Sequence, residues 1–355
     1  MAETVPRGYR SATEYRFCEE HTDAIVQATA YHRKDYGRSV IWVSPREHIN
    51  ISPWIATPFP RTSDAGLKLS LFDRLPLELL IDVLMHLDMY SLMKLRQTCL
   101  RLREVVDSLK PYQMVVSHGL NLLCALLRTR LATRVSLSDF YHTLCTKACT
   151  LCGEFSGFVF LFTWNRYCFK CLQEAPETQV QTLADVRNEF DLTEAELDQL
   201  RPLSFETLPG IYSMDESTHK SRIAVVSVPQ VRFVSGRQPH VPDQEPTANT
   251  ERKRRNKEFT FMASCALPYH DKQTGEVEHG MSCAGCQLAL DRYILGFRGE
   301  YYTLQARNKV YAKDGFLEHF RWCKQAQLLW MSSDEGRSPA LPDVCRRGGE
   351  FKERE

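Results

Sequence analysis

The chain has 355 residues, 43% of them apolar and 25% charged, with a formal net charge of +1. That length suggests two or three domains with ample material for a core. The balanced charge argues against bulk nucleic-acid binding, and the longest apolar runs, around 120–127 and 158–162, are too short to span a membrane.

Residues 1–68 read as a tyrosine-rich, proline-punctuated N-terminal extension, partly ordered. Its first 18 residues lack the apolar segment of a signal peptide. The expected setting is therefore the reducing cytoplasm or nucleus, where the 13 cysteines are metal ligands and buried thiols rather than disulfides. Ser39–Ser44 reads as a strand and Thr57–Arg61 as a turn or linker. His21 follows Cys18 by three positions without a second close pair, so a surface contact is expected there, not a metal.

Residues 69–110 form the next unit. Leu75-Pro76 opens a helix, where a missing N–H costs nothing. Leu77, Leu80, Ile81 and Leu84 follow the amphipathic template, and Leu79, Val83 and Leu87 widen the apolar stripe beyond one face. A second short helix from about Tyr90 carries Leu92 and Leu95. A third, Leu100–Val106, carries Leu102 and Val105. Three short helices cannot hide this much leucine, and no metal-ligand spacing lies among them, so a partner is the physical inference.

These residues resemble the F-box, the docking module that joins a substrate receptor to the Skp adaptor of SCF-type ubiquitin ligases. Leu75, Pro76, Glu78, Leu79, Leu80, Leu84, Leu87, Asp88, Leu92, Leu95 and Cys99 fall where the pattern has its kin. One departure stands at the end, where many members place a tryptophan and this chain has Leu102 or Arg103. The resemblance implies adaptor binding, and through the adaptor a cullin, by Leu75, Pro76, Leu79, Leu80, Leu84, Leu87, Leu92 and Leu95.

Residues 111–230 read as helices plus a metal module. Ser117 precedes a helical pattern with Leu120, Leu123, Cys124 and Leu127 on one face, and Ser138 is a cap for a helix through Leu144. Cys149-Thr-Leu-Cys152-Gly is followed fifteen residues later by Cys168-Phe-Lys-Cys171. Two such knuckles offer four thiolates to one tetrahedral zinc, and four thiolates leave no place for water, so the ion is structural. Phe155–Trp164 reads as the strand arm between them. Cys145 is a substitute ligand at a less typical spacing. Further on, Gln179–Leu200 is helical with a capping box at Thr193 and Glu196. Leu208–Tyr212 is a turn and Ile223–Val228 a strand.

Residues 231–258 read as a polar basic loop. Arg252-Lys-Arg-Arg255 with Lys257 suits a nuclear-import signal, a nucleic-acid contact or a solvated charge cluster. In 259–332, Cys283-Ala-Gly-Cys286 is a third knuckle. His319 and Cys323, four apart on a helix that Asp314 is placed to cap, project from one face. Together they make a Cys3His zinc site, with His270 and His279 as rivals of poorer spacing. Residues 333–355 read as a disordered tail in which Cys345 is a free thiol.

The F-box, the first knuckle pair, Leu208-Pro-Gly-Ile-Tyr212 and the distal HGMSCAGCQ and FLEHFRWC stretches together resemble F-box proteins of filamentous fungi. The expected fold is α+β: a three-helix F-box lobe followed by a zinc-stabilised mixed α/β lobe. The expected function is a non-catalytic substrate receptor carrying two structural zinc ions. The alternative is a zinc-containing nucleic-acid-binding regulator. Against it, Phe155–Trp164 holds no Arg or Lys. A RING-like cross-brace is disfavoured by the 111 residues between Cys171 and Cys283. No solenoid or propeller repeat is visible, so the substrate stays unnamed.

Overall fold

The computed structural model describes residues 9–44, 75–238 and 246–351. Thr57–Arg61 and the residues of the three-helix unit before Leu75 lie outside them. The unit itself is helical as expected: Leu77–His86, Met89–Arg96 and Leu100–Ser108. Pro76 is the residue just ahead of the first helix. Asp88 caps the second by accepting from the Ser91 amide, and Cys99 takes the same place on the third with its sulfur. Arg96, fully buried, clamps the second helix to the third through Nε and Nη2 to Asp107 at 2.6 and 2.9 Å.

This unit is not left to a foreign partner for its whole core. Helices Lys110–His118, Leu120–Thr129 and Leu137–Leu144 continue directly from it. The backbone ties them: Met89 N–H donates to Val135 and Leu137 N–H to Leu87. Leu80, Leu84, Met89, Leu92, Leu102 and Val106 share one apolar cluster with Leu122, Leu137 and Phe140. Ser117 does not cap the following helix. Gly119 stands at that boundary, and the cap of the next helix is Ser136, in a reciprocal box with Asp139 rather than at Ser138.

The same cluster runs on into small antiparallel sheets. Phe158–Phe160 is the central strand of three, paired on one side with Asn165–Tyr167 and on the other with Ser264–Ala266. The strand arm is thus shorter than Phe155–Trp164, because the chain turns at 161–164 with Trp164 in the left-handed region. A second sheet joins Val180–Thr182, Ala224–Ser227 and Phe205–Glu206. The 208–212 stretch is not the expected turn: Gly210–Tyr212 is a strand paired with Ser217–His219, and the chain turns at 213–216. Thr193 and Glu196 form the expected capping box.

Four further expectations change. Ser39–Ser44 is no strand: only Ile41 bridges, to Cys265, after a helix over Lys34–Ser39. Pro246–Met262 is a helix rather than a loop. Its first turns carry no apolar period, but Phe259, Phe261 and Met262 at its end are buried and anchor it. The tail after 333 is partly structured: Asp343–Arg347 is helical and Cys345 packs against Tyr31 and Ala284. Finally, residues 9–31 are no appendage. They lie on the C-terminal lobe, where Ala30–Tyr31 pairs with Ser282–Cys283.

Candidate functional site

The leucines expected to meet an adaptor divide into two sets. Leu84 and Leu92 are 0% exposed and Leu80 5%, so these three hold the unit together. Leu75 at 43% and Leu79 at 55% stand in solvent beside exposed Pro76. Leu87 and Leu95 are half-buried between the two sets. Leu77, Val83, Tyr90 and Leu100 extend the exposed set. Sequence periodicity did not assign Leu77 or Tyr90 to that rim. The apolar stripe exceeds one helix face, and nothing local says which part meets the platform.

Cys149, Cys152, Cys168 and Cys171 come together, their sulfurs all within 4.8 Å of one another. The first knuckle turns through Gly153 at φ +74°, which favours glycine, and the Gly153 amide closes onto the Cys149 carbonyl at 2.9 Å. Cys168 precedes the helix Phe169–Glu174 and accepts from the Cys171 amide, so both thiols face one point. Cys152 and Cys168 are 3.6 Å apart. Thiolates about 2.3 Å from a tetrahedral ion stand about 3.8 Å from each other, so the spacing fits.

Arg166 secures this hairpin and was not legible as a site residue. Its buried guanidinium donates to the carbonyls of Thr143, Ser156, Leu267 and Pro268 and to Ser156 Oγ. Burial among neutral acceptors lowers its pKa to about 9.

Cys283, Cys286, His319 and Cys323 form the second group, also within 4.8 Å. Cys283 and Cys286 lie at the start of the helix Ala284–Asp291. His319 is in the helix Lys313–Phe320 and Cys323 immediately precedes Lys324–Ser332. Asp314 sits in the first turn, with Ala312 at the cap position. The His319 Nε2 is 3.4 Å from the Cys286 sulfur, and Cys283 and Cys323 are 3.8 Å apart.

Two tyrosines complete the second group and were missed by spacing arguments. The Tyr311 hydroxyl lies 3.2 Å from His319 Nδ1, which leaves Nε2 free to ligate. The Tyr9 hydroxyl donates to the Cys286 sulfur at 2.7 Å. They stand 8 and 277 positions from those ligands, so no motif window contains both.

Crowding spreads the ionisation of each group. Cys149 is pulled down to about 4 by its hydrogen bond with Cys168, and Cys323 falls below the ordinary thiol range by bonds with Cys283 and Cys286. Cys168 rises through the same bond with Cys149, while burial raises Cys171, Cys283 and Cys286. One thiolate in each group disfavours ionisation of its neighbours. Both groups could hold a metal ion. The rivals lie apart from them: Cys145 is near Tyr141, His270 stacks on His118, and His279 lies against His32.

In the basic run, Arg254, Arg255 and Lys257 are exposed, and Arg255 faces Asp185 at 3.8 Å. The side chains of Arg252 and Lys253 lie outside the described residues.

Among known proteins, the F-box domain family matches residues 72–114. No curated protein and no solved structure matches the chain. The matched segment coincides with the helices that present the Leu75–Leu79 rim. The chain therefore carries an F-box domain over residues 72–114, ahead of a cysteine-rich C-terminal region.

Proposed function

We propose that this chain is the substrate receptor of an SCF-type ubiquitin ligase. The F-box docks the Skp adaptor, which links it to a cullin, and the C-terminal lobe presents a target protein. The supporting observation is the division of the F-box leucines. Leu80, Leu84 and Leu92 are satisfied inside the chain, whereas Leu75, Pro76, Leu77 and Leu79, at the start of the first helix, stand exposed to solvent. Such a rim gains free energy only when covered, at about 25 cal/mol per Å² of apolar area.

In this reading the chain does no bond chemistry. It holds a target close to a charging enzyme, and the rate gain comes from proximity. Zinc is the ion that suits both donor sets: four thiolates, and three thiolates with an imidazole. It would supply folding free energy to the lobe rather than a reactive water. Thiolate centres of this kind require a reducing compartment, the cytoplasm or nucleus.

Co-expression with the adaptor, gel filtration and metal analysis of the same peak test this directly. A stoichiometric complex with about two zinc ions per chain is expected. Leu79→Asp should weaken the complex by about 2 kcal/mol or more, roughly thirtyfold, since it places a charge in the buried interface. Its zinc content should stay unchanged. If Leu79→Asp binds the adaptor as well as the parent does, the rim is not the docking face.

A further inference from the structure

The 13 cysteines differ in what can reach them. Cys124, Cys265, Cys283 and Cys286 are 0% exposed and Cys323 2%. Two thiols stand in solvent, Cys18 and Cys152. Cys18 belongs to no cluster of facing ligands among the described residues. Cys152 does, and its sulfur lies 3.6 Å from that of Cys168. An oxidant that reaches Cys152 therefore finds a second thiol already beside the first. Exposure next to a resolving thiol makes a cysteine redox-responsive, whereas a structural buried thiol is inert.

The two partners differ in freedom. Residues 150–154, the tip of the first knuckle, are all exposed, and a Cβ on Gly153 would meet nothing within 4 Å. Cys152 can thus turn without displacing any packing. The base of the knuckle is pinned below it: the Thr150 amide donates to the Arg166 carbonyl at 2.9 Å, and the Cys149 amide to the Glu154 carbonyl at 2.7 Å. Cys168 is the fixed partner. Its sulfur accepts from the Cys171 amide at 3.4 Å, and the next residue, Phe169, is buried and stacks on Tyr36 with ring centroids 3.9 Å apart. Disulfide sulfurs stand about 2.05 Å apart, so the pair must close by about 1.5 Å. Rotation of the exposed side chain suffices for that.

Proximity alone does not single out this pair. Cys283 and Cys323 are 3.8 Å apart, but both are buried and the Tyr9 hydroxyl covers the neighbouring Cys286. Access separates the two groups.

We propose that the first cysteine group is an oxidation site, at which a peroxide joins Cys152 to Cys168 and the group gives up its ion while the second group is spared. The O–O bond of the peroxide takes two electrons from the Cys152 thiolate, leaving Cys152 sulfenic acid and hydroxide. The Cys168 thiolate then attacks that sulfur, the S–S bond forms, and a second hydroxide leaves. Both hydroxides take up a proton and end as water. Cys149 and Cys171 remain, and two thiolates are too few for a closed tetrahedral site. A dithiol reductant returns the two electrons by exchange and reopens the site. The inference rests on the thiols themselves and holds whether or not the chain docks an adaptor.

The test treats the full zinc-loaded chain with hydrogen peroxide. A chromophoric chelator follows zinc release, and mass spectrometry of unreduced peptides maps the linkages. The Cys152–Cys168 link should appear together with release of the first zinc, and dithiothreitol with added zinc should restore both. Cys283, Cys286 and Cys323 should stay unlinked, and Cys18→Ser should change nothing. Cys152→His offers three thiolates and an imidazole, the donor set of the second group, so it should load zinc and keep it under peroxide. If that variant loads no zinc, the linkage map of the parent chain decides alone. A first link inside the second group, or oxidation of Cys152 with no link to Cys168, overturns the proposal. So does a Cys152→His chain that releases its zinc as fast as the parent. A Cys152–Cys168 link in a chain that never held zinc would uphold the thiol pair and overturn the zinc reading of this group.

Discussion

The two cysteine groups use the same chemistry and are built in opposite ways. The first lies within residues 149–171, on a knuckle, a hairpin and a helix start, and its Cys152 is exposed. The second gathers three separate segments, has three buried ligands, and is wrapped by residues nearly three hundred positions away. Around it the Tyr9 hydroxyl meets Cys286, Arg10 bridges to Cys323, and the amides of Ser11 and Tyr15 donate to the carbonyls of Trp322 and Arg321 at 3.0 Å. An ion in the first group closes a short loop. An ion in the second would join segments 283–286 and 319–323, on which residues 9–31 pack, so the lobe is expected to depend on it more.

The largest test of that difference is ligand removal. Cys323→Ser should abolish the second centre, and structural zinc of this type is worth on the order of 10 kcal/mol of apparent folding free energy. Limited proteolysis should then cut within 9–31 as well as 283–332, because both sides lose their shared core of Ile25, Phe316, Phe320 and Trp330. Cys168→Ser should also cost one zinc but expose only 148–154 and 168–174. The hairpin between them keeps its pairing with Ser264–Ala266 and the four carbonyls around Arg166. Equal and global unfolding in both variants would break the comparison.

A smaller effect is expected from backbone packing beside the second centre alone. Gly285 lies between Cys283 and Cys286, and a Cβ there would fall 2.2 Å from the Ala326 amide nitrogen. Backbone cannot yield as a flexible side chain can. Gly285→Ala should therefore part the helices Ala284–Asp291 and Lys324–Ser332 and cost about 3 kcal/mol, the upper end for overpacking. The melting temperature should fall and the second zinc should leave at lower chelator concentration, with the first unaffected. Gly153→Ala is the paired control: nothing lies within 4 Å of its Cβ, so only the left-handed backbone is strained.

The contrast also explains what could be read in advance. All eight residues of the two groups were legible from their spacing, but His319 and Cys323 do not share the helix face expected of them: the helix Lys313–Phe320 ends after His319, and Cys323 precedes the next helix, Lys324–Ser332. The F-box helices were legible for a similar reason: their leucine spacing lies within a few residues, whereas the caps at Asp88 and Cys99 emerged only from the structure. What stayed hidden depends on distance. Nothing near Tyr9 signals Cys286, and nothing near Ala30 signals its pairing with Cys283. The helix over Pro246–Met262 hid its apolar anchor in its last turn, behind a run of charges. Arg166 resembles any strand arginine until the four carbonyls it serves are brought together by the fold.

The finest test removes one oxygen atom. Tyr9 is 4% exposed, its ring packs edge-on to Tyr302 at 5.1 Å, and its hydroxyl reaches the Cys286 sulfur. Tyr9→Phe keeps the ring and deletes only the donor to a ligand. Partners behind metal ligands typically carry ten- to hundredfold effects on affinity, so the second centre should bind zinc about tenfold more weakly. Competition with a chromophoric chelator resolves this as two release steps, of which one moves. If neither step moves, the N-terminal segment acts on the centre by packing alone. If both move, the two centres are coupled through the shared core, and the first is less self-contained than its short loop implies.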